Sequence, residues 1–268
     1  TSDGQAVVVH LIRIGHRGEA QTRVLRHLAA LPDILRADNH TLPMLREIQL
    51  FDDLILGVFP YVLCSADEAI WGPPRHLHLL DDVLDIIMQA LEGIAFIHEH
   101  GVAHRDCFLD NFLQQWYPST AVLPPTVVRP RVYLIDFETS VCFPDATPAS
   151  ERRMSDHPME ARGSVPEHYA RPRAPELKTR AERPYDPFAL DIWQLGRQLD
   201  FIRTNVAEID DLFATFWNAD PEARPTAAQA LRQLRTLVRD LPAKILDGAY
   251  EKLGPEGFGM SVVWWDDE

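Results

Sequence analysis

The chain has 268 residues, 46% of them hydrophobic, and a formal net charge of −14. These values suit one or two ordinary globular domains, and the negative balance repels nucleic acid and anionic membrane, so neither is an expected partner. No apolar run is long enough to span a bilayer, and no charged-then-apolar leader opens the sequence, although Thr1 is not an initiator methionine. Three scattered cysteines, Cys64, Cys107 and Cys142, make neither a disulfide framework nor a zinc site. The expectation is an intracellular, cytoplasmic protein without internal repeats.

Residues 6–14 are apolar and β-branched, which predicts a strand. Val24, Leu25 and Leu28 recur at helical spacing within 17–30. Residues 44–62 read as two strands joined at Phe51-Asp52-Asp53. From 82 to 100 the pattern turns helical, with Val83, Ile87, Leu91 and Ile94 on one face and Gly101 as a stop. A Pro-rich irregular stretch, 114–131, precedes a short strand at 131–136. Residues 143–187 form a long loop rich in Pro, Arg and acidic residues. Helices are expected at 189–202 and 226–240. The second opens on Thr226-x-x-Gln229, a capping box, and turns Leu231, Leu234 and Leu237 inward. The tail beyond Leu241 carries weak signals, and its Trp264-Trp265 pair needs burial or a partner.

Five motifs follow one another at set distances. His104-Arg105-Asp106 is followed, after four residues, by Asn111. Asp136-Phe137-Glu138 comes twenty-five residues beyond Asn111, at a strand end. Ala174-Pro175-Glu176, then Asp191-Ile192-Trp193-Gln194-Leu195-Gly196, then Asp220-Pro221-Glu222-Ala223-Arg224-Pro225-Thr226 complete the series. In this order they resemble the catalytic loop, DFG, APE, DxWxxG and DPxxRPT motifs of the protein kinase superfamily. The opening TSDGQAVVV, Asn39–Pro43 (NHTLP), HRDC, Tyr185–Phe188 (YDPF) and the DIWQLG helix also resemble a kinase-like family of mushroom-forming fungi.

The resemblance implies an α+β, bilobal fold. A truncated β-rich lobe would span 1–62, a helical lobe 63–240 and a tail 241–268. The hinge would run near Phe59-Pro60-Tyr61, with Val58 as gatekeeper. It also implies roles. Asp106 would orient and deprotonate a substrate hydroxyl, and Asn111 and Asp136 would hold magnesium with oxygen ligands. His10, Val8, Val58, Phe59 and Leu113 would face the nucleotide. Arg105 would meet a phosphate or carboxylate on the activation segment. Glu176 and Arg224 would form a buried ion pair, and Asp191 would bond the catalytic-loop backbone. His104, Phe137, Leu25 and Leu45 would stack as a hydrophobic column. Basic residues Arg162, Arg171, Arg173, Lys178, Arg180 and Arg183 cluster around this segment. They suggest either a solvated loop or an anion site, with Thr139, Ser155, Ser164 and Tyr169 as phosphoacceptors, or Glu160 and Glu167 as resident partners.

The nucleotide side departs from the family. His10 stands where a strand lysine clamps phosphates, and Gln21 where its helix glutamate belongs. A His–Gln hydrogen bond is the expected replacement. Arg13 is an alternative cation on the other face of the strand. Glu138 replaces the DFG glycine, no glycine-rich loop precedes the strand, and Val8 narrows the adenine side. Phe108 replaces the catalytic-loop lysine typical of Ser/Thr kinases, so Cys107–Asp110 does not read out Ser/Thr or Tyr specificity. A Ser/Thr substrate is expected if the chain is active. The expected function is a pseudokinase that binds or scaffolds an unnamed protein, with weak Mg-ATP binding or none. The alternative is an atypical active protein kinase using Mg-ATP. A small-molecule phosphotransferase of the aminoglycoside-kinase type would not carry the APE and DPxxRPT segments.

Overall fold

A computed structural model describes residues 4, 6–71, 79–115, 129–158, 171–178 and 184–252. Arg162, Arg180, Arg183, Ser164, Tyr169, Glu160, Glu167 and the Trp264-Trp265 pair lie outside the described residues.

The N-terminal portion is a three-stranded antiparallel sheet with one helix. Strands β1 (Val7–Ile14), β2 (Arg46–Phe51) and β3 (Leu54–Pro60) lie in the order β1-β3-β2, and α1 (Glu19–Ala29) follows β1. Helix α1 buries Val24, Leu25 and Leu28, the residues its period predicts. The Asp52-Asp53 turn joins β2 to β3. A register shift between Leu11 and Arg13 marks a bulge in β1.

Beyond Pro60 the chain becomes mainly helical. Strand β4 (Cys64–Ser65) and helix α2 (Ala66–Trp71) precede the 20-residue α3 (Leu80–Glu99). The predicted face of α3 is fully buried at Val83, Ile87, Leu91 and Ile94, and Gly101 ends it with φ 72°. Short strands then frame the cleft. Strand β5 (Val102–Ala103) pairs with β8 (Val141–Cys142). Strands β6 (Phe112–Gln114) and β7 (Val132–Leu134) form a small sheet with β4.

The lower lobe contains α4 (Pro175–Lys178), α5 (Pro187–Leu199), β9 (Ile202–Arg203), α6 (Ala207–Phe216), α7 (Ala227–Arg239), α8 (Ala243–Leu246) and β10 (Glu251–Lys252). Helix α7 opens with the complete Thr226–Gln229 capping box. A Cβ on Gly196 of α5 would stand 2.5 Å from the Phe216 Cβ, so this close helix contact requires glycine. Residues 241–252 pack onto the helical lobe. The Gly248 carbonyl accepts from Leu80 N at 2.8 Å, the Tyr250 hydroxyl donates to the Ile70 carbonyl at 2.9 Å, and β10 pairs with β9.

The NHTLP segment joins the two parts. The His40 ring bridges the Val132 carbonyl (2.7 Å) and the Glu92 carboxylate of α3 (2.7 Å). Leu134 N donates to the His40 carbonyl at 2.6 Å, and Leu42 N to the Leu134 carbonyl at 3.0 Å. A buried imidazole with an oxygen on each side fixes the linker against both the sheet and the helix.

Candidate functional site

The catalytic loop sits on α5. Asp191, fully buried, accepts from His104 N (2.8 Å) and Arg105 N (2.6 Å), and also from the His98 ring (2.8 Å). One turn later, Gln194 accepts from Cys107 N (2.9 Å) and donates to the Arg105 carbonyl (2.8 Å). Gln198 accepts from Leu109 N. Asp191, Gln194 and Gln198 form one polar stripe on a largely buried helix. They give the loop amides partners that no strand supplies. Arg105 is held at φ 68°, a conformation non-glycine residues seldom adopt.

On this platform Asp106 and Asn111 meet. Asn111 Nδ2 donates to the Asp106 carbonyl (2.8 Å) and to its Oδ2 (2.7 Å), which leaves the amide oxygen as Asn111's donor for a cation. Burial raises the Asp106 pKa, opposed first by the charge of Arg171. Asp136, at φ 62°, begins the segment across the cleft. Its pKa is raised by burial and then by the neighbouring Glu138 charge.

His10 reaches Glu138, not Gln21. Its Nε2 lies 3.7 Å from Glu138 Oε1, which corrects the expected His–Gln hydrogen bond. The reason is electrostatic: an imidazole placed near two carboxylates turns to the charged partner. Glu138, placed to accept from the ring, raises the His10 pKa above the ordinary histidine value, with added attraction from the Glu138 and Asp136 charges, while burial works against it. Gln21 is buried in α1. Arg13 is turned to the start of α1, where it lies 3.3 Å from Glu19 and donates to the Gly15 carbonyl at 2.9 Å. Val8 pairs with Phe59 and Val9 with Val58 across β1 and β3, and Leu113 pairs with Ser65 just past the hinge.

The hydrophobic column is partly as expected. The His104 and Phe137 rings meet edge to face at 5.0 Å, and Leu25 is buried. Leu45 is 54% exposed and does not join them. Successive residues of an extended segment point to opposite sides, and Met44 takes the inner one. Leu25, Leu42, Met44 and Phe137 line a cavity of about 300 Å³.

The lower anchors are clear. Arg224 donates twice to Glu176, Nη1 to Oε1 at 2.6 Å and Nη2 to Oε2 at 2.9 Å, with no side-chain exposure on the arginine and 10% on the glutamate. Arg105 reaches the Asp156 carbonyl (3.1 Å) and its Oδ2 (3.2 Å), so the carboxylate on the activation segment is Asp156. Thr139 is buried and donates to the His104 carbonyl at 2.9 Å, which removes it as an accessible phosphoacceptor. Ser155 is exposed. Sequence reasoning missed Asp156, the Gln194–Gln198 stripe and the place of Arg171. Only the stripe had a signal, as polar residues at helical spacing with Asp191.

A small lobe of sheet and helix, a larger helical lobe, and a loop of His104, Asp106 and Asn111 facing Asp136 define a protein-kinase-like fold. The comparisons agree. A stretch of 108 residues is 32% identical to the serine/threonine-protein kinase ppk8 of Schizosaccharomyces pombe (strain 972 / ATCC 24843). It covers 40% of this chain and 17% of that protein's length. The crystal structure of the Rad53 kinase domain and SCD2 matches with a TM-score of 0.53 at 19% identity, over 87% of this chain and 82% of that one. No family model matches the chain. No helix among the described residues is long and apolar enough to cross a membrane.

Proposed function

We propose that the chain is a pseudokinase, a kinase-shaped cytoplasmic module that binds a protein partner and holds Mg-ATP weakly or not at all. The observation that carries this reading is the His10–Glu138 pair at 3.7 Å. In a working kinase the strand cation faces the phosphates, and phosphoryl transfer depends on that charge together with metal. Here the residue at that position faces a carboxylate, and a second carboxylate, Asp136, stands beside it. The donor set fits half of Mg-ATP. Asp136 and Asn111 offer the oxygen ligands magnesium takes, but the strand position of the phosphate cation is held by His10, which is turned to Glu138. The net charge of −14 argues against nucleic acid or anionic membrane as the partner.

A second reading, an active protein kinase acting on a protein hydroxyl, is favoured by the Asp106–Asn111 contact and its support from Asp191. Calorimetric titration with Mg-ATP separates the two. The expected result is undetectable or roughly millimolar binding at pH 8, one or two decades weaker for each lost charged contact. Binding should strengthen toward pH 6, where His10 is protonated. Tight binding independent of pH would refute the pseudokinase reading.

A further inference from the structure

The catalytic loop presents two aspartates at its mouth, Asp106 and Asp110, while its own cation, Arg105, is buried and turned to Asp156. The charge that meets them comes from about sixty residues downstream. Arg171 Nη2 lies 2.6 Å from Asp110 Oδ2 and 3.5 Å from Asp106 Oδ2. Its guanidinium carbon stands 4.8 Å from the centre of the Phe108 ring. A planar cation stacked on an aromatic face and shared by two carboxylates is fixed in orientation as well as in position. Phe108 thus provides a platform that a lysine at its position would not.

We propose that Arg171 is a latch that fastens segment 171–178 onto the catalytic loop, with Asp110 and Asp106 as its anchors. The segment is then held at both ends, by Arg171 at its start and by the Glu176–Arg224 pair near its finish. The electrostatics agree with the geometry. Arg171 is the largest influence opposing the burial that raises the Asp106 pKa. Asp67 on α2 is pushed up to about 6 by burial and then by the Asp110 charge, and Arg171 draws it back down. Asp106 therefore has a use that requires no phosphoryl transfer. The latch holds whether or not the chain binds nucleotide, so its test is run without any.

Hydrogen exchange read by mass spectrometry over 171–178 is the measurement. Arg171→Gln and Asp110→Asn should each speed exchange there on the order of tenfold, the loss of one charged hydrogen bond. Asp106→Asn should do so less, given its longer contact. The Arg171→Gln/Asp110→Asn double variant should exchange no faster than Arg171→Gln alone, because both remove the same contact. The α3 peptide should keep its protection throughout, which reports an intact fold. Asp110 is the more exposed partner (41% against 28% for Arg171), so Asp110→Asn keeps the test decisive if Arg171→Gln misfolds. Wild-type exchange in Asp110→Asn, or additive acceleration in the double variant, overturns the latch.

Discussion

Replacing Arg224 by alanine removes four hydrogen bonds at once. Two go to Glu176 (2.6 and 2.9 Å), one to the Asn218 carbonyl (2.8 Å) and one to the Ala189 carbonyl (3.1 Å). What remains matters more than what is lost. The Glu176 side chain is only 10% exposed, so without Arg224 its carboxylate loses two charged hydrogen bonds in a site with little water. Stranding one member of a buried pair costs roughly 3–5 kcal/mol. In a domain of this size each kcal/mol moves the midpoint by about 2–4 °C, so Arg224→Ala should melt on the order of 10 °C below wild type. Differential scanning calorimetry is the assay. The double variant Arg224→Met/Glu176→Leu removes both charges and should recover most of that loss, because the net worth of a buried pair is far below the cost of breaking it. A wild-type midpoint in Arg224→Ala refutes the buried-pair reasoning. A double variant as unstable as the single one refutes the stranded-charge part of it.

His10 makes stability depend on pH in a definite direction. Its folded pKa is raised above the unfolded value, so its contribution is full below about pH 6.5 and is lost as pH rises through the folded pKa. The advantage of wild type over His10→Gln in urea should be present at pH 5.5 and should shrink as pH rises through the folded His10 pKa. It should stay under about 1 kcal/mol because the side chain is half exposed. An advantage that grows with pH would contradict the Glu138 pairing. Asp156→Asn should weaken the grip of Arg105, a buried cation, and lower the thermal midpoint by several degrees, on the order of 2 kcal/mol. Mass spectrometry of protein from its native host should show Ser155 unmodified, since a carboxylate already meets Arg105. Stoichiometric phosphate on Ser155 would sink that account.

The fold was largely legible because its motif residues meet demands that few side chains satisfy. Asp191 had to accept two loop amides, Arg224 had to reach Glu176 across 48 residues, and Thr226 with Gln229 had to cap a helix start. Helix α6 was open to the same treatment, since Ile209, Leu212, Phe213 and Phe216 recur at helical spacing and are buried. Helix α2, at six residues, is too short for a period to declare itself. The partners of His10, Arg105 and Arg171 were not legible. Each choice was settled by carboxylates brought close from distant segments, Glu138, Asp156 and Asp110, and no local pattern records such a meeting. Leu45 failed for a local reason, a one-residue difference in which side of an extended segment faces inward.

The polar stripe of α5 has a consequence for how the molecule can change. Asp191, Gln194 and Gln198 shape the loop that carries Asp106 and Asn111, and all three belong to the helical lobe. None of the small lobe's phosphate-side positions takes part in that support. Substitutions at His10 or Val8 therefore remove none of the hydrogen bonds that Asp191, Gln194 and Gln198 make to the loop. Nucleotide handling and the catalytic outline rest on separate parts of the molecule, free to drift apart. A lineage can discard the first through neutral steps in the sheet while the second is kept by the demands of packing alone.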